Sequence, residues 1–320
     1  MYKEAKIAIG VAIALIVAGM IYAFRDALPS MPSFGSDDPP PVAAPDDQTG
    51  GSPVGPKHDP AILQKIQLAE DLLAKKEYLN ARSIAENVLL AESVGLYDEM
   101  WLQAADVISK VNTVFLFSDV RCPEKERYVV QSGDSLARIA NKFNTTVNAL
   151  QRSNGLDATN PTIYPKQSFY IYKGDWQIRV IKENYLLVVT NGDRVVKTYL
   201  VAIGRNDRTP TGTFTITDKQ VEPDWWQPGR IVKYGDPENV LGTRWMSIEP
   251  VAEEGTDGTL SGFGIHGTWE PDSIGSSASL GCVRMRNEQV EDLFDIVPYK
   301  TRVIIQERAN PEAASEETPE

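Results

Sequence analysis

The sequence predicts a multidomain chain: an N-terminal transmembrane helix, an α-helical hairpin region, a small βααβ module and a mainly antiparallel β domain near the C-terminal end. Three observations carry that prediction. An uncharged apolar run from Ile7 to Phe24 comes first and is followed by a Pro- and Gly-rich stretch. Apolar residues then recur three and four apart between Pro60 and Phe117. From Trp176 onward, β-branched runs alternate with turn residues.

Composition narrows the partners. At 320 residues the chain can hold two or three small domains. A net charge of −12 leaves no basic surface that could track phosphates, so nucleic acid is not the expected partner. Two cysteines are too few for a disulfide framework, and Cys282 is expected to be a free thiol. Cys122 is read as an incidental linker residue, with intermolecular pairing as the alternative.

Taken in order, residues 1–27 read as a cytoplasmic tip and membrane anchor. The apolar run nearly matches the hydrocarbon thickness of a bilayer, and Lys3 and Lys6 precede it, which leaves the N-terminus inside and the rest of the chain outside the cytoplasm. A cleaved leader would have a shorter apolar region and an Ala-x-Ala site, which does not follow Phe24. Residues 28–57 have few groups to bury and read as an extended linker, with His58 exposed and silent at its end.

Residues 58–120 read as helical. Ile62, Ile66, Ala69 and Leu73 share one face, as do Ile84, Val88 and Leu89, and a third helix runs from Asp98 to Val114. Ala69, Tyr78 and Ala81 have spacings similar to a tetratricopeptide repeat. Only one repeat is visible, so an ordinary helical hairpin is the preferred reading.

Residues 126–173 form a strand, two short helices and a returning strand. Ser132 or Asp134 is expected to cap the first helix and Thr145 or Thr146 the second. The opening Val-Gln-Ser-Gly-Asp-Ser-Leu and the later Asn-Gly-Leu closely resemble the lysin motif, LysM. That resemblance implies binding of the N-acetylglucosamine of a glycan strand between the Gly133, Asp134, Ser135 loop and the Asn154, Gly155 loop. Gly133 and Asn154-Gly155 also serve as turn residues.

Residues 176–308 are rich in strands, with Asn191-Gly192 marking a hairpin. Glu288 to Ile296 reads as a short helix, and Thr301 to Gln306 is expected to close the sheet. The tail, 309–320, has four Glu and no basic residue and reads as solvating.

The chemistry concentrates between Ile265 and Asn287. His266 is one of two histidines and Cys282 one of two cysteines. A thiol becomes a strong nucleophile once an imidazole takes its proton. Small residues at Ser279-Leu280-Gly281 let backbone N–H groups approach a developing oxyanion. The Gly267 carbonyl is placed to accept from the second imidazole nitrogen and so select the tautomer. A lone Cys and a lone His are more often two structural residues, so the pair alone does not establish catalysis.

The surrounding pattern does more. His-Gly-Thr, then Ser-x-Gly-Cys-Val-Arg-Met-x-Asn, with Thr209-Pro-Thr-Gly-Thr-Phe and Gly-Phe-Gly upstream, resembles the L,D-transpeptidases, which remodel bacterial peptidoglycan. The resemblance implies Cys282 as nucleophile, His266 as general base and acid resting as a thiolate–imidazolium pair, and Gly267 as its orienter. It further implies an oxyanion and substrate set of Ser279, Gly281 and Arg284, with Arg284 equally read as a structural salt bridge. Of the tryptophans Trp225, Trp226, Trp245 and Trp269, only Trp269 is expected to wall the groove. No cofactor and no metal are expected, because the two histidines lie far apart in sequence.

The implied reaction releases D-Ala from a tetrapeptide stem and forms a 3→3 cross-link, a step in peptidoglycan biosynthesis, cell-wall organisation and cell shape. Carboxypeptidase action, protein-to-wall attachment by the same site, and a non-catalytic LysM tether are the alternatives. Many family members carry a second histidine where this chain has Leu280, which leaves His266 as the only base of the domain.

Overall fold

In a computed structural model, the structure describes residues 59–309. The expected membrane anchor, the linker to Lys57, His58 and the acidic tail beyond Ala309 lie outside the described residues. Among the described residues no helix is long and apolar enough to cross a membrane.

Three helices come first: α1 (Pro60–Ala74), α2 (Tyr78–Leu89) and α3 (Glu99–Phe117). Asp59 caps α1 by accepting from the Ala61 N–H, with Pro60 at the first helical position, where its missing N–H costs nothing. Asp98 caps α3 through the Trp101 N–H at 2.8 Å. The faces read from the spacing are the buried ones: Ile62, Ile66 and Ala69 on α1, then Ala81, Ala85 and Val88 on α2, packed around Ala104, Ile108 and Phe115. Alanines at the crossings let the backbones approach closely.

Next, β1 (Lys125–Val129) pairs antiparallel with β2 (Ser168–Tyr172), and between them lie α4 (Leu136–Lys142) and α5 (Val147–Ser153). Leu136, Ile139, Phe143, Leu150, Phe169 and Ile171 form a separate small core. Thr146 caps α5 through the Ala149 N–H. The cap of α4 is Ser135, which accepts from the Arg138 N–H, and neither Ser132 nor Asp134 takes that place. Asp134 instead accepts from the Gln131 N–H at 2.7 Å and from the Tyr128 hydroxyl at 2.8 Å, closing its own turn.

The remaining chain builds an eight-stranded sheet. Its strands are β3 (Trp176–Ile181), β4 (Leu186–Asn191), β5 (Arg194–Leu200), β7 (Gly212–Val221), β10 (Arg244–Pro250), β11 (Phe263–His266), β13 (Val283–Arg284) and β14 (Arg302–Gln306). Their order across the sheet is β13-β11-β10-β7-β14-β3-β4-β5, antiparallel except for β11/β13 and β14/β3. The Asn191-Gly192 hairpin joins β4 to β5 as expected. The last strand does not close the sheet. β14 inserts between β7 and β3 and is central, with Val303 and Ile305 buried. Helix α6 (Asn287–Ile296) packs Val290, Leu293 and Ile296 against this core. Short pairs β6 (Ile203–Gly204) with β12 (Ser277–Ser279), and β8 (Trp225–Gln227) with β9 (Arg230–Val232), complete the domain.

The helical region and the βααβ module both dock on this sheet domain, and the described residues 59–309 belong to one unit. Edge strand β5 would expose unpaired backbone groups, and α3 covers it. The Thr198 N–H donates to Ser109 Oγ, and Asn112 Nδ2 donates to the Val196 carbonyl at 3.1 Å. Arg82 on α2, nearly fully buried, pairs with Glu124 at 2.9 Å, and Arg194 on β5 bridges Glu124 and Glu86. Cys122 lies within this packed junction rather than in a loose linker, and burial first, with Glu124 beside it, pushes its thiol up to about 12. On the other flank, Asp295 of α6 accepts from Asn148 at 2.7 Å and from Arg152 at 3.0 Å, while its carbonyl accepts from the Thr146 hydroxyl.

Candidate active site

Strands β11 and β13 bring the two rare residues together. The parallel register pairs Ile265 with Val283 and His266 with Arg284. His266 therefore ends β11, and Cys282 stands directly before β13, on the same face of the pair because side chains alternate. Both residues line one cavity of ≈ 380 Å³, together with Arg284, Trp225, Trp226 and Trp245.

The imidazole is buried, 3 % exposed, and stacks on Trp245, its partner across β10 and β11, with centroids 5.6 Å apart. Its Nδ1 lies 2.6 Å from the Gly267 carbonyl. A carbonyl can only accept, so Nδ1 carries the proton and Nε2 keeps its lone pair. The orienting contact expected of Gly267 is made.

The turn carrying Cys282 is held by two hydroxyls. Ser279 Oγ accepts from the Gly281 N–H at 3.0 Å and donates to the Cys282 carbonyl at 2.6 Å. Thr209 Oγ1 accepts from the Gly204 N–H at 2.7 Å and donates to the Gly281 carbonyl at 2.8 Å. Gly281 sits at φ +143°, where a side chain would also press on the Phe263 ring at 2.8 Å, so only glycine fits. The Gly281 N–H, expected to face an oxyanion, is thus taken by Ser279, and Ser279 shapes the turn. Thr209, 1 % exposed, is a site residue that was visible in the sequence only as part of an upstream motif.

The protonation states differ from the expected ion pair. Burial lowers the His266 pKa to about 4; the Gly267 and Leu241 carbonyls oppose that shift, and the Arg284 charge adds to it. Burial raises the Cys282 thiol, against the Gly264 N–H and Arg284, which lower it. Both groups lose hydration in the cavity, so the resting pair is neutral thiol and neutral imidazole.

Arg284 has two faces. One guanidinium nitrogen reaches the exposed Glu270 at 3.2 Å, while its buried Nε has no partner. The tryptophans reverse the expectation. Trp269 is 51 % exposed and turns toward Tyr234, outside the cavity lining. Trp225, Trp226 and Trp245 form the aromatic wall, because the β8/β9 ribbon folds over the site. In the βααβ module, Asn154 spends its amide on the Tyr170 backbone and the Leu150 carbonyl. With Gly155 it borders an open cavity of ≈ 510 Å³ that Phe117, Ser118 and Asp119 of the helical region also line, and Gly133, Asp134 and Ser135 take no part in that lining. Among the described residues, no group of three or more His, Cys, Asp or Glu is placed to hold a metal.

Residues 175–305 match the L,D-transpeptidase catalytic domain family, and residues 128–171 match the LysM domain family. YqjB of Bacillus subtilis, which carries the L,D-transpeptidase name, is 38 % identical over 133 residues, covering 41 % of this chain and 72 % of the relative. YkuD of the same organism, likewise named, is 34 % identical over 184 residues, covering 56 % of this chain and 97 % of the relative. The chain belongs to the L,D-transpeptidase family.

This L,D-transpeptidase places its LysM domain against the catalytic domain through Asp295, on the helix that leaves the cysteine motif. A relative from Escherichia coli, YcfS, is 29 % identical over 202 residues, covering 57 % of this chain and 62 % of the relative.

Proposed function

We propose that the enzyme forms 3→3 cross-links in peptidoglycan, with Cys282 as nucleophile and His266 as base and then acid. The reading is carried by one observation: the Cys282 thiol and the His266 imidazole, whose Nδ1 faces the Gly267 carbonyl, line one cavity where β11 pairs with β13. As Sγ attacks the carbonyl of the third stem residue, His266 Nε2 takes the thiol proton. The C–N bond to D-Ala breaks, the imidazolium returns that proton to the leaving amine, and a thioester remains. An amine of a neighbouring stem attacks the thioester, giving up its proton to His266, and Cys282 leaves and is reprotonated. The Cys282 N–H is the donor offered to the oxyanion, since the Gly281 N–H serves Ser279. Neutral resting groups suit this cycle, because the proton moves only as the bond forms.

Arg284, whose side chain lines the cavity, is the group for a substrate carboxylate or carbonyl. The LysM domain supplies attachment to N-acetylglucosamine of the glycan strand. The apolar run from Ile7 to Phe24 supports a single-pass anchor that leaves the folded domains outside the cytoplasm. The test uses the purified protein, disaccharide-tetrapeptide and mass spectrometry, with Cys282→Ala alongside. A Cys282-dependent dimer lacking one D-Ala is expected. D-Ala loss without a dimer would make water the acceptor, and no turnover from folded, reduced enzyme would leave the LysM tether.

A further inference from the structure

Helix α6 begins with Asn287, and that side chain does not serve its own helix. The preceding cap position is Arg286, which makes no side-chain capping bond. Asn287 Oδ1 instead accepts the Thr243 N–H at 3.2 Å. It is wedged against two glycines. A Cβ on Gly267 would come within 2.2 Å of Oδ1, and a Cβ on Gly242 within 2.3 Å. Those two backbones also touch each other, for the same Cβ on Gly242 would lie 2.5 Å from the Gly267 carbonyl carbon.

The two segments clamped here are the ones that bracket the imidazole. Gly267 supplies the carbonyl 2.6 Å from Nδ1. Leu241, one residue before Gly242, has its carbonyl toward the ring from the other segment. The strand holding His266 is tied to the same region, since its carbonyl accepts the Met285 N–H at 2.8 Å, two residues before Asn287. We propose that Asn287 is the positioning residue for His266: its Oδ1 holds the Gly242–Thr243 and Gly267 backbones so that the Gly267 carbonyl faces Nδ1 and leaves Nε2 as the base. This rests on the reading of His266 as the base. Without the amide oxygen, the Gly267 peptide can rotate, Nδ1 loses its fixed acceptor, and a share of the imidazole takes the tautomer with Nε2 protonated, which cannot accept from the thiol.

The test reads the tautomer directly. Histidine-selective 15N NMR of the unliganded enzyme has two imidazoles to report, and His58→Gln leaves His266 alone. The expected result is an Nδ1–H tautomer in the parent and a mixture in Asn287→Ala. Acylation of Cys282 should slow about 10- to 100-fold at a nearly unchanged half-saturating donor concentration. Asn287→Asp keeps an acceptor oxygen in the same place and should restore tautomer and rate to within about threefold. A folded Asn287→Ala enzyme with the parent tautomer and parent rate would overturn the proposal, as would a folded Asn287→Asp enzyme that restores neither. Should Asn287→Ala not fold, Asn287→Ser decides the point by the same two readouts, since its shorter hydroxyl falls short of the Gly267 backbone. If the parent enzyme forms no acyl-enzyme, the reaction reading fails, yet the tautomer still tests the role of Asn287.

Discussion

Thr209→Val should weaken both the fold and the reaction, and the structure sets the size of the effect. The hydroxyl is fully buried and sits between the Gly204 N–H and the Gly281 carbonyl at 2.7 and 2.8 Å. Valine fills nearly the same volume, so cavity formation adds little. Two buried backbone groups lose their partners, each at about 1–3 kcal/mol, which gives roughly 2–6 kcal/mol before relaxation. Some relaxation through the β6/β12 pair is available, so a loss of about 2–3 kcal/mol is the expected value. Urea unfolding would register it as a lower midpoint at unchanged slope. Gly281 carries Cys282, so freeing its carbonyl should also let Sγ drift, and a shift near 1 Å can cost about 100-fold in acylation. Intact-mass spectrometry of the acyl-enzyme measures that rate. Thr209→Ser, which keeps the hydroxyl, should recover most of both losses. A Thr209→Val protein with the parent midpoint and parent acylation rate would refute the argument that this hydroxyl holds the turn.

The pH profile offers a second check. A His266 pKa of about 4 means that the free base is lost only as pH falls through about 4, so kcat/KM should stay flat from neutral pH down to about 5 and show no limb near 6.5. The sign for stability is the same: the folded pKa is depressed, so the contribution is complete above the unfolded value near 6.5 and is lost as pH falls through about 4. An acid limb at 6 to 7, traced with the Cys282 acylation assay, would refute the depressed pKa of His266. Trp226 is 70 % exposed yet lines the cavity, whereas Trp269 lies outside it. Trp226→Ala should therefore raise KM for the donor about tenfold, and Trp269→Ala should leave it within about twofold. The reverse ranking in steady-state kinetics would contradict the assignment of the aromatic wall.

Much of this protein is written locally. The period of Ile62, Ile66 and Ala69 and the Asn191-Gly192 turn are short-range features, and the structure shows the buried face and the hairpin expected from them. The small-residue motif around Cys282 is local too, because φ +143° at Gly281 admits only glycine whatever surrounds it. Where sequence reasoning chose among near neighbours, as with Ser132, Asp134 and Ser135, local spacing allowed several caps, and the Asp134 contacts to Tyr128 and Gln131 decided among them.

The rest needed distant segments. Parallel pairing carries no turn signature, so nothing in Thr301 to Gln306 announced that β14 lies between β7 and β3. The helical region bears no local mark of its partner, and only folding brings Ser109 and Asn112 to the backbone of β5. Trp225 and Trp226 reach the cavity because a ribbon more than 30 residues before His266 closes over it, while Trp269, three residues after, turns away. By itself, the sequence determined which atoms are available for chemistry: a thiol, an imidazole, and a carbonyl next to it. Tertiary structure alone decided their charge, because desolvation depends on what every other strand stacks over them.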